Sequence, residues 1–79
     1  MKKVYKFSAS WCKPCKNLTA GLALKGITLP EYDIDNPDNN ALMERFNIRS
    51  VPTVVVESGD SYQVYVGGSI TPQLLAAIA

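Results

Sequence analysis

The sequence has no histidine and only two cysteines, Cys12 and Cys15, in 79 residues. Without histidine, a Ser-His or Cys-His nucleophile pair cannot be assembled within the chain. A mononuclear zinc site would need further Cys, His or carboxylate ligands beside the two thiols, so no metal is expected. No apolar run approaches the roughly 20 residues that cross a bilayer. The start, Met1-Lys2-Lys3, is followed by Val4-Tyr5-Lys6-Phe7-Ser8, which lacks the longer unbroken apolar stretch of a secretory leader. Excess charge of either sign is also absent: 8 basic and 7 acidic residues are interspersed, for a net +1. That balance leaves no nucleic-acid footprint and no polybasic membrane patch. The expectation is one cytoplasmic, unprocessed, monomeric domain over residues 1–79.

What remains is enough for a core. Apolar residues make up 47% of the chain, although so short a domain hides only about 60–65% of its unfolded surface. Val4–Ser8, β-branched and aromatic, reads as a strand. Lys13 to Lys25 reads as a helix, with Pro14 in the first turn, where its missing N–H is not needed. Leu18 and Leu22 continue the face that starts at Cys15, and Gly26 stops the helix. Gly21 weakens that helix by about 1 kcal/mol relative to alanine, a cost that close packing against a neighbour would explain. Leu29 to Ile34 is a short second strand, with Pro30 confined to an edge or its beginning. Asn36-Pro37 caps a second helix whose buried stripe is Leu42, Met43 and Phe46, and Asn47 ends it in a left-handed conformation.

Thr53-Val54-Val55-Val56 has the continuous apolar character of a strand covered on both faces. Ser58-Gly59-Asp60 signals a hairpin turn. Tyr62, Val64 and Val66 alternate with Gln63 and Tyr65 as in an edge strand. Gly67-Gly68 breaks this strand, and Thr71-Pro72 caps a last helix carrying Leu74, Leu75 and Ile78. The order β-α-β-α-β-β-α predicts a right-handed parallel βαβ unit followed by an antiparallel hairpin. The fold class is α/β: a mixed four-stranded sheet with helices on both faces.

The chemistry concentrates in Ser10-Trp11-Cys12-Lys13-Pro14-Cys15-Lys16, where a strand gives way to a helix. Thiols three residues apart share a helix face and can bridge. The helix N-terminus carries about half a positive charge and free N–H groups, which stabilise a thiolate at Cys12. Lys13 and Lys16 add positive charge. Cys12 is therefore expected to ionise below the free-thiol range and to be the exposed attacking sulfur, with Cys15 more buried one turn inside. Cys12 would attack a substrate disulfide, and Cys15 would resolve the mixed disulfide. Half of a zinc site, an inert structural disulfide and a cluster ligated across a dimer are the alternatives for a C-x-x-C pair.

Three stretches together resemble the thioredoxin family: Ala9-Ser10-Trp11-Cys12-Lys13-Pro14-Cys15-Lys16, Ile48-Arg49-Ser50-Val51-Pro52-Thr53, and Val66-Gly67-Gly68. The resemblance implies the thioredoxin-like fold without the family's N-terminal strand and helix. It also implies a cis-proline at Pro52 beside the cysteines, and substrate contacts from Trp11, Lys13, Pro14, Val51, Pro52 and Gly67. The Val51 backbone would pair with a substrate peptide, Gly67 would leave room for it, and Trp11 would shield Cys12 or anchor the core. No bound cofactor is implied beyond the redox-active Cys12–Cys15 disulfide. Partners would be disulfide-containing proteins and a thioredoxin reductase-like flavoprotein carrying electrons from NADPH.

One departure is evident. The family usually has a buried aspartate six residues before the first motif cysteine, where this chain has Lys6. Where relatives often carry a lysine on the neighbouring strand, alignment puts Glu31. Either Lys6 and Glu31 form a charge-swapped pair under the site, with Glu31 a proton acceptor through water, or Lys6 reaches solvent past the sheet edge. Two rival functions are a glutaredoxin-like enzyme reduced by glutathione and a binding module with incidental redox chemistry. Against the former, glutaredoxins usually place Pro-Tyr between the cysteines and a lysine three residues before the first, where this chain has Lys13-Pro14 and Ala9.

Overall fold

The computed structural model describes residues 2–79. Strand β1 (Lys2–Ser8) leads into helix α1 (Lys13–Leu24), and strand β2 (Glu31–Asp33) follows. A 3-10 turn at Pro37–Asn39 opens helix α2 (Asn40–Arg45). The hairpin β3 (Thr53–Ser58) and β4 (Ser61–Val66) precedes helix α3 (Pro72–Ile78). The sheet order is β2-β1-β3-β4, with β1 parallel to β2 and antiparallel to β3, and β3 antiparallel to β4. This is the predicted α/β architecture.

The sheet separates two apolar layers. Leu18 and Leu22 of α1 and Leu74 of α3 pack on Val54 and Val56. On the opposite face Tyr5, Phe7 and Val55 meet Phe46, with Leu42 and Met43 half-buried beside them. The predicted face of α1 is the buried one: Cys15, Leu18 and Leu22. Burying a leucine or valine side chain fully contributes about 1.5–3 kcal/mol, so these layers fix which sides of α1 and α2 face inward. At Gly21, an added Cβ would lie 2.5 Å from Ile70 Cδ1, so the close neighbour that accounts for this glycine is the segment before α3.

Several boundaries differ from the sequence expectation. β1 begins at Lys2 rather than Val4, because the long β3 offers ladder partners as far as Ser58. β2 is three residues long, shorter than Leu29–Ile34, since only Glu31, Tyr32 and Asp33 lie in register with β1, while Pro30 O and the Ile34 N–H add single bonds at its ends. Asn36 caps as predicted, its side chain accepting the Asp38 N–H, but the first turn is 3-10 and the α-helix starts at Asn40. Asn47 has φ 55°, the left-handed end anticipated from sequence. β4 is the edge strand, yet its inward residue is Tyr65, which packs on the α1–α3 layer, while Tyr62, Val64 and Val66 are substantially exposed. The short α2 reaches only the start of that face, where Phe46 meets the Tyr62 ring edge-on at 4.9 Å.

Candidate active site

Cys12 ends the β1–α1 turn in an extended conformation and is the N-cap of α1. Its Sγ accepts the Cys15 N–H at 3.1 Å, the position that an aspartate or serine oxygen fills in most helices. The first turn of a helix has no internal partners for its N–H groups, so excess electron density on this sulfur is stabilised there. Cys12 and Cys15 form a disulfide, with Cα atoms 5.3 Å apart. Lys13 and Lys16 are exposed beside it. Among the described residues no group of His, Cys, Asp or Glu side chains is arranged to hold a metal ion.

The two cysteines do not differ in overall burial as the sequence implied: Cys12 is 4% exposed and Cys15 3%. Ala9 packs with both, and half-buried Ile34 and Val51 close over them. In the oxidised state the cap position folds Cys12 back onto its own helix, which covers it as fully as its mate.

The Val51–Pro52 peptide bond is cis. Thr53 Oγ1 donates to Ser50 O at 2.7 Å and the Gly67 N–H donates to Pro52 O at 2.9 Å, which ties this loop to the end of β4. Val51 touches the cysteine cluster, and Pro52 is buried behind it. Trp11 is not a core anchor: it is 66% exposed, and its indole N–H donates to Asp35 Oδ2 at 2.9 Å. Asp35 was not singled out from sequence, and no local motif marked it.

Gly67 and Gly68 sit in different surroundings. Gly67 takes φ 103°, a backbone conformation that side chains disfavour, and has open space around it. The close approach is at Gly68, where an added Cβ would lie 3.3 Å from Pro14 O. Gly68 is thus the residue that lets the β4–α3 loop sit against the start of α1.

Beneath the site, Lys6 is 4% exposed on the central strand β1, so it does not run out past a sheet edge. Its Nζ stands 3.3 Å from Glu31 Oε1 and donates to Thr19 Oγ1 at 2.6 Å. Thr19 in turn donates to Glu31 Oε1 at 3.5 Å. Thr19 was missed in the sequence, although its spacing of four from Cys15 puts both on one helix face. A cavity of about 510 Å³ lies between α1 and β2, and Cys15, Lys16, Thr19, Ala20, Ala23 and Glu31 are among its walls; Cys12 is not.

A bridged C-x-x-C at a helix mouth, facing a cis-proline loop on a four-stranded sheet, is the arrangement of a dithiol–disulfide exchange centre. The sequence model of the Thioredoxin family matches residues 2–79. Thioredoxin H5 of Oryza sativa subsp. japonica is 33% identical over 70 residues, covering 84% of this chain and 52% of its own. Protein disulfide-isomerase 1 of Caenorhabditis elegans is 30% identical over 77 residues, covering 89% of this chain and 16% of its own. The crystal structure of the germline-specific thioredoxin Deadhead of Drosophila melanogaster superposes with a TM-score of 0.67 at 29% identity, covering 86% of this chain and 70% of that one. The chain belongs to the thioredoxin family. It spans about half the length of the rice relative and a smaller share of the nematode one. Family membership and the paired cysteines make Cys12 and Cys15 the candidate reactive site.

Proposed function

We propose that the chain reduces disulfides in proteins by dithiol exchange through Cys12 and Cys15. The observation that carries this reading is the Cys12 sulfur at the cap of α1, accepting the Cys15 N–H while bonded to the Cys15 sulfur. In the reduced protein the same N–H and the helix dipole hold Cys12 as a thiolate. That thiolate attacks one sulfur of a substrate disulfide, and the other substrate sulfur leaves as a thiolate. The Cys15 thiolate then attacks the Cys12 sulfur, releases the second substrate thiolate and restores the internal disulfide.

Substrate would lie along Trp11, Lys13, Pro14, Val51, Pro52 and Gly67, with the Val51 backbone pairing to an extended peptide. The exposed Trp11 and the open space at Gly67 support this path. Lys6 and Glu31 would tune the second step: Glu31 accepts the Cys15 proton through water in the shared cavity, and Lys6 holds the carboxylate in place. Electrons would come from NADPH through a thioredoxin reductase-like flavoprotein, and the protein would act as a cytoplasmic monomer. No helix among the described residues is long and apolar enough to cross a membrane.

Insulin-disulfide reduction tests the reading, with NADPH and thioredoxin reductase in one arm and glutathione in the other. Turnover is expected in the first arm and its loss in Cys12→Ser and Cys15→Ser. Turnover in the glutathione arm alone would reassign the reductant. No turnover in either arm, with partner binding kept in the double serine variant, would assign the fold to docking instead of redox chemistry.

A further inference from the structure

Among the described residues Lys6 is the one buried residue that carries a charge; Ser8 and Thr53, the other buried polar residues, are neutral. Two contacts place its ammonium: it donates to Thr19 Oγ1 at 2.6 Å and stands 3.3 Å from Glu31 Oε1. Thr19 follows Cys15 by four residues on α1, about 6 Å along one face of the helix. Ser8 follows Lys6 by two residues on β1, about 7 Å along one face of the strand. Ser8, Cys15 and Thr19 all line the cavity between α1 and β2. The strand step and the helix turn therefore run side by side, and the ammonium lies one layer beneath Cys15.

We propose that Lys6 is a positioning residue for the dithiol chemistry: its buried ammonium stabilises the negative charge that forms on the Cys15 sulfur once the disulfide is open. This deepens the exchange reaction proposed above and rests on it. There Lys6 holds the Glu31 carboxylate; here it acts on the sulfur itself.

A disulfide carries no net charge, so the ammonium gains nothing from the oxidised sulfurs. A thiolate at Cys15 adds an attraction that exists only in the opened state, and an opposite charge nearby favours the charged form of a group. The other charged side chains on the wall that holds Cys15 are Lys16, Glu31 and Asp33, all exposed. Water and salt screen them, whereas Lys6 acts through protein. From β3 the register partner of Lys6 is Val54, apolar and buried, so that strand sets no charge against it. Glu31 opposes Lys6 in sign, but its side chain is 53% exposed and its field is the weaker one.

The step affected is the second one. In the mixed disulfide the Cys15 thiol gives its proton to a base, its thiolate forms a bond to the Cys12 sulfur, and the substrate sulfur leaves with the electron pair. Lys6 raises the fraction of Cys15 present as the thiolate that starts this step.

The test follows the ionisation of Cys15 in reduced full-length protein carrying Cys12→Ser, which leaves a single thiol and keeps an oxygen at the helix cap. The readout is the NMR chemical shift of the Cys15 Cβ against pH. Adding Lys6→Met is expected to lower the Cys15 acid-dissociation constant about ten-fold. That lies between the roughly three-fold effect of hydrated charges 6 Å apart and the roughly hundred-fold effect at an effective dielectric constant of 20. Lys6→Gln, which keeps a hydrogen-bonding end for Thr19 and Glu31, is expected to match it and decides the question should Lys6→Met not fold. Lys6→Arg, which keeps the charge, is expected to stay within about two-fold of the parent. Glu31→Gln is expected to move the constant the opposite way, upward. A constant that falls by less than about three-fold in the neutral variants, or that falls in Glu31→Gln as well, overturns the proposal. Failure to reduce insulin would refute the proposed function, whereas this titration is read without any substrate.

Discussion

Replacing Lys6 by methionine is expected to leave stability within about 1 kcal/mol of the parent, while Glu31→Gln lowers it by about 1 kcal/mol. The asymmetry comes from where the two charges sit. The Lys6 side chain is 4% exposed and the Glu31 side chain 53%. At 3.3 Å the pair attracts by about 5 kcal/mol at an effective dielectric constant of 20 and by about 1 kcal/mol in water. Because Glu31 is largely hydrated, the lower figure governs. Burying the ammonium costs several kcal/mol, offset by this attraction and by the bond to Thr19, a charged hydrogen bond contributing about 1.5–3 kcal/mol. Lys6→Met removes the cost together with its compensation, in a side chain of similar length. Glu31→Gln removes only part of the compensation and leaves the ammonium in place. Urea unfolding of the oxidised proteins measures both, and the Glu31→Gln difference is expected to shrink in high salt, which screens a half-exposed charge. A loss above about 3 kcal/mol in Lys6→Met, or a gain in Glu31→Gln, would refute the reasoning.

If Glu31 also takes the Cys15 proton, Glu31→Gln slows release of product from a Cys12 mixed disulfide by about ten-fold or more at pH 7, read by stopped-flow kinetics. Tyr5 is buried and donates to Glu57 Oε1 at 3.0 Å; burial first, then the bonded Glu57 carboxylate, hold its phenol above the usual tyrosine range. The folded state keeps this proton where the unfolded chain loses it, so the stabilisation is complete below about pH 10 and is lost as pH rises through the folded value. Tyr5→Phe is therefore expected to be less stable by about 1–2 kcal/mol at pH 7, with the gap narrowing above about pH 10 in paired thermal melts. Gly68→Ala places a methyl 3.3 Å from Pro14 O, a backbone atom that cannot swing aside. It is expected to cost about 1 kcal/mol in urea unfolding and to raise KM for insulin more than it lowers kcat.

Much of the fold was legible because this chain punctuates itself. Asn36 and Thr71 cap with their side chains, Asn47 turns left-handed, and Cys15, Leu18 and Leu22 bury the predicted stripe. Boundaries that depend on a partner were not legible. β2 shortened to the three residues that pair with β1, and β4 turned Tyr65 inward in preference to its valines, because helix placement decides which face of an edge strand is covered. In the site, spacing located Cys12 and Cys15, and the family resemblance pointed to the Val51–Pro52 loop. Asp35 and Thr19 went unmarked because their partners, Trp11 and Lys6, are 24 and 13 residues away.

By itself the sequence determined the cysteine pair and its place at a strand-to-helix turn, because capping, proline position and a spacing of three act within one turn of chain. Tertiary structure decided the rest: equal burial of the two cysteines, inward aim of Lys6 onto Thr19 and Glu31, and a cavity whose lining includes Cys15 and not Cys12. Each of these depends on how α1 lies across β1 and β2, and that placement follows from burying Leu18 and Leu22 against β3.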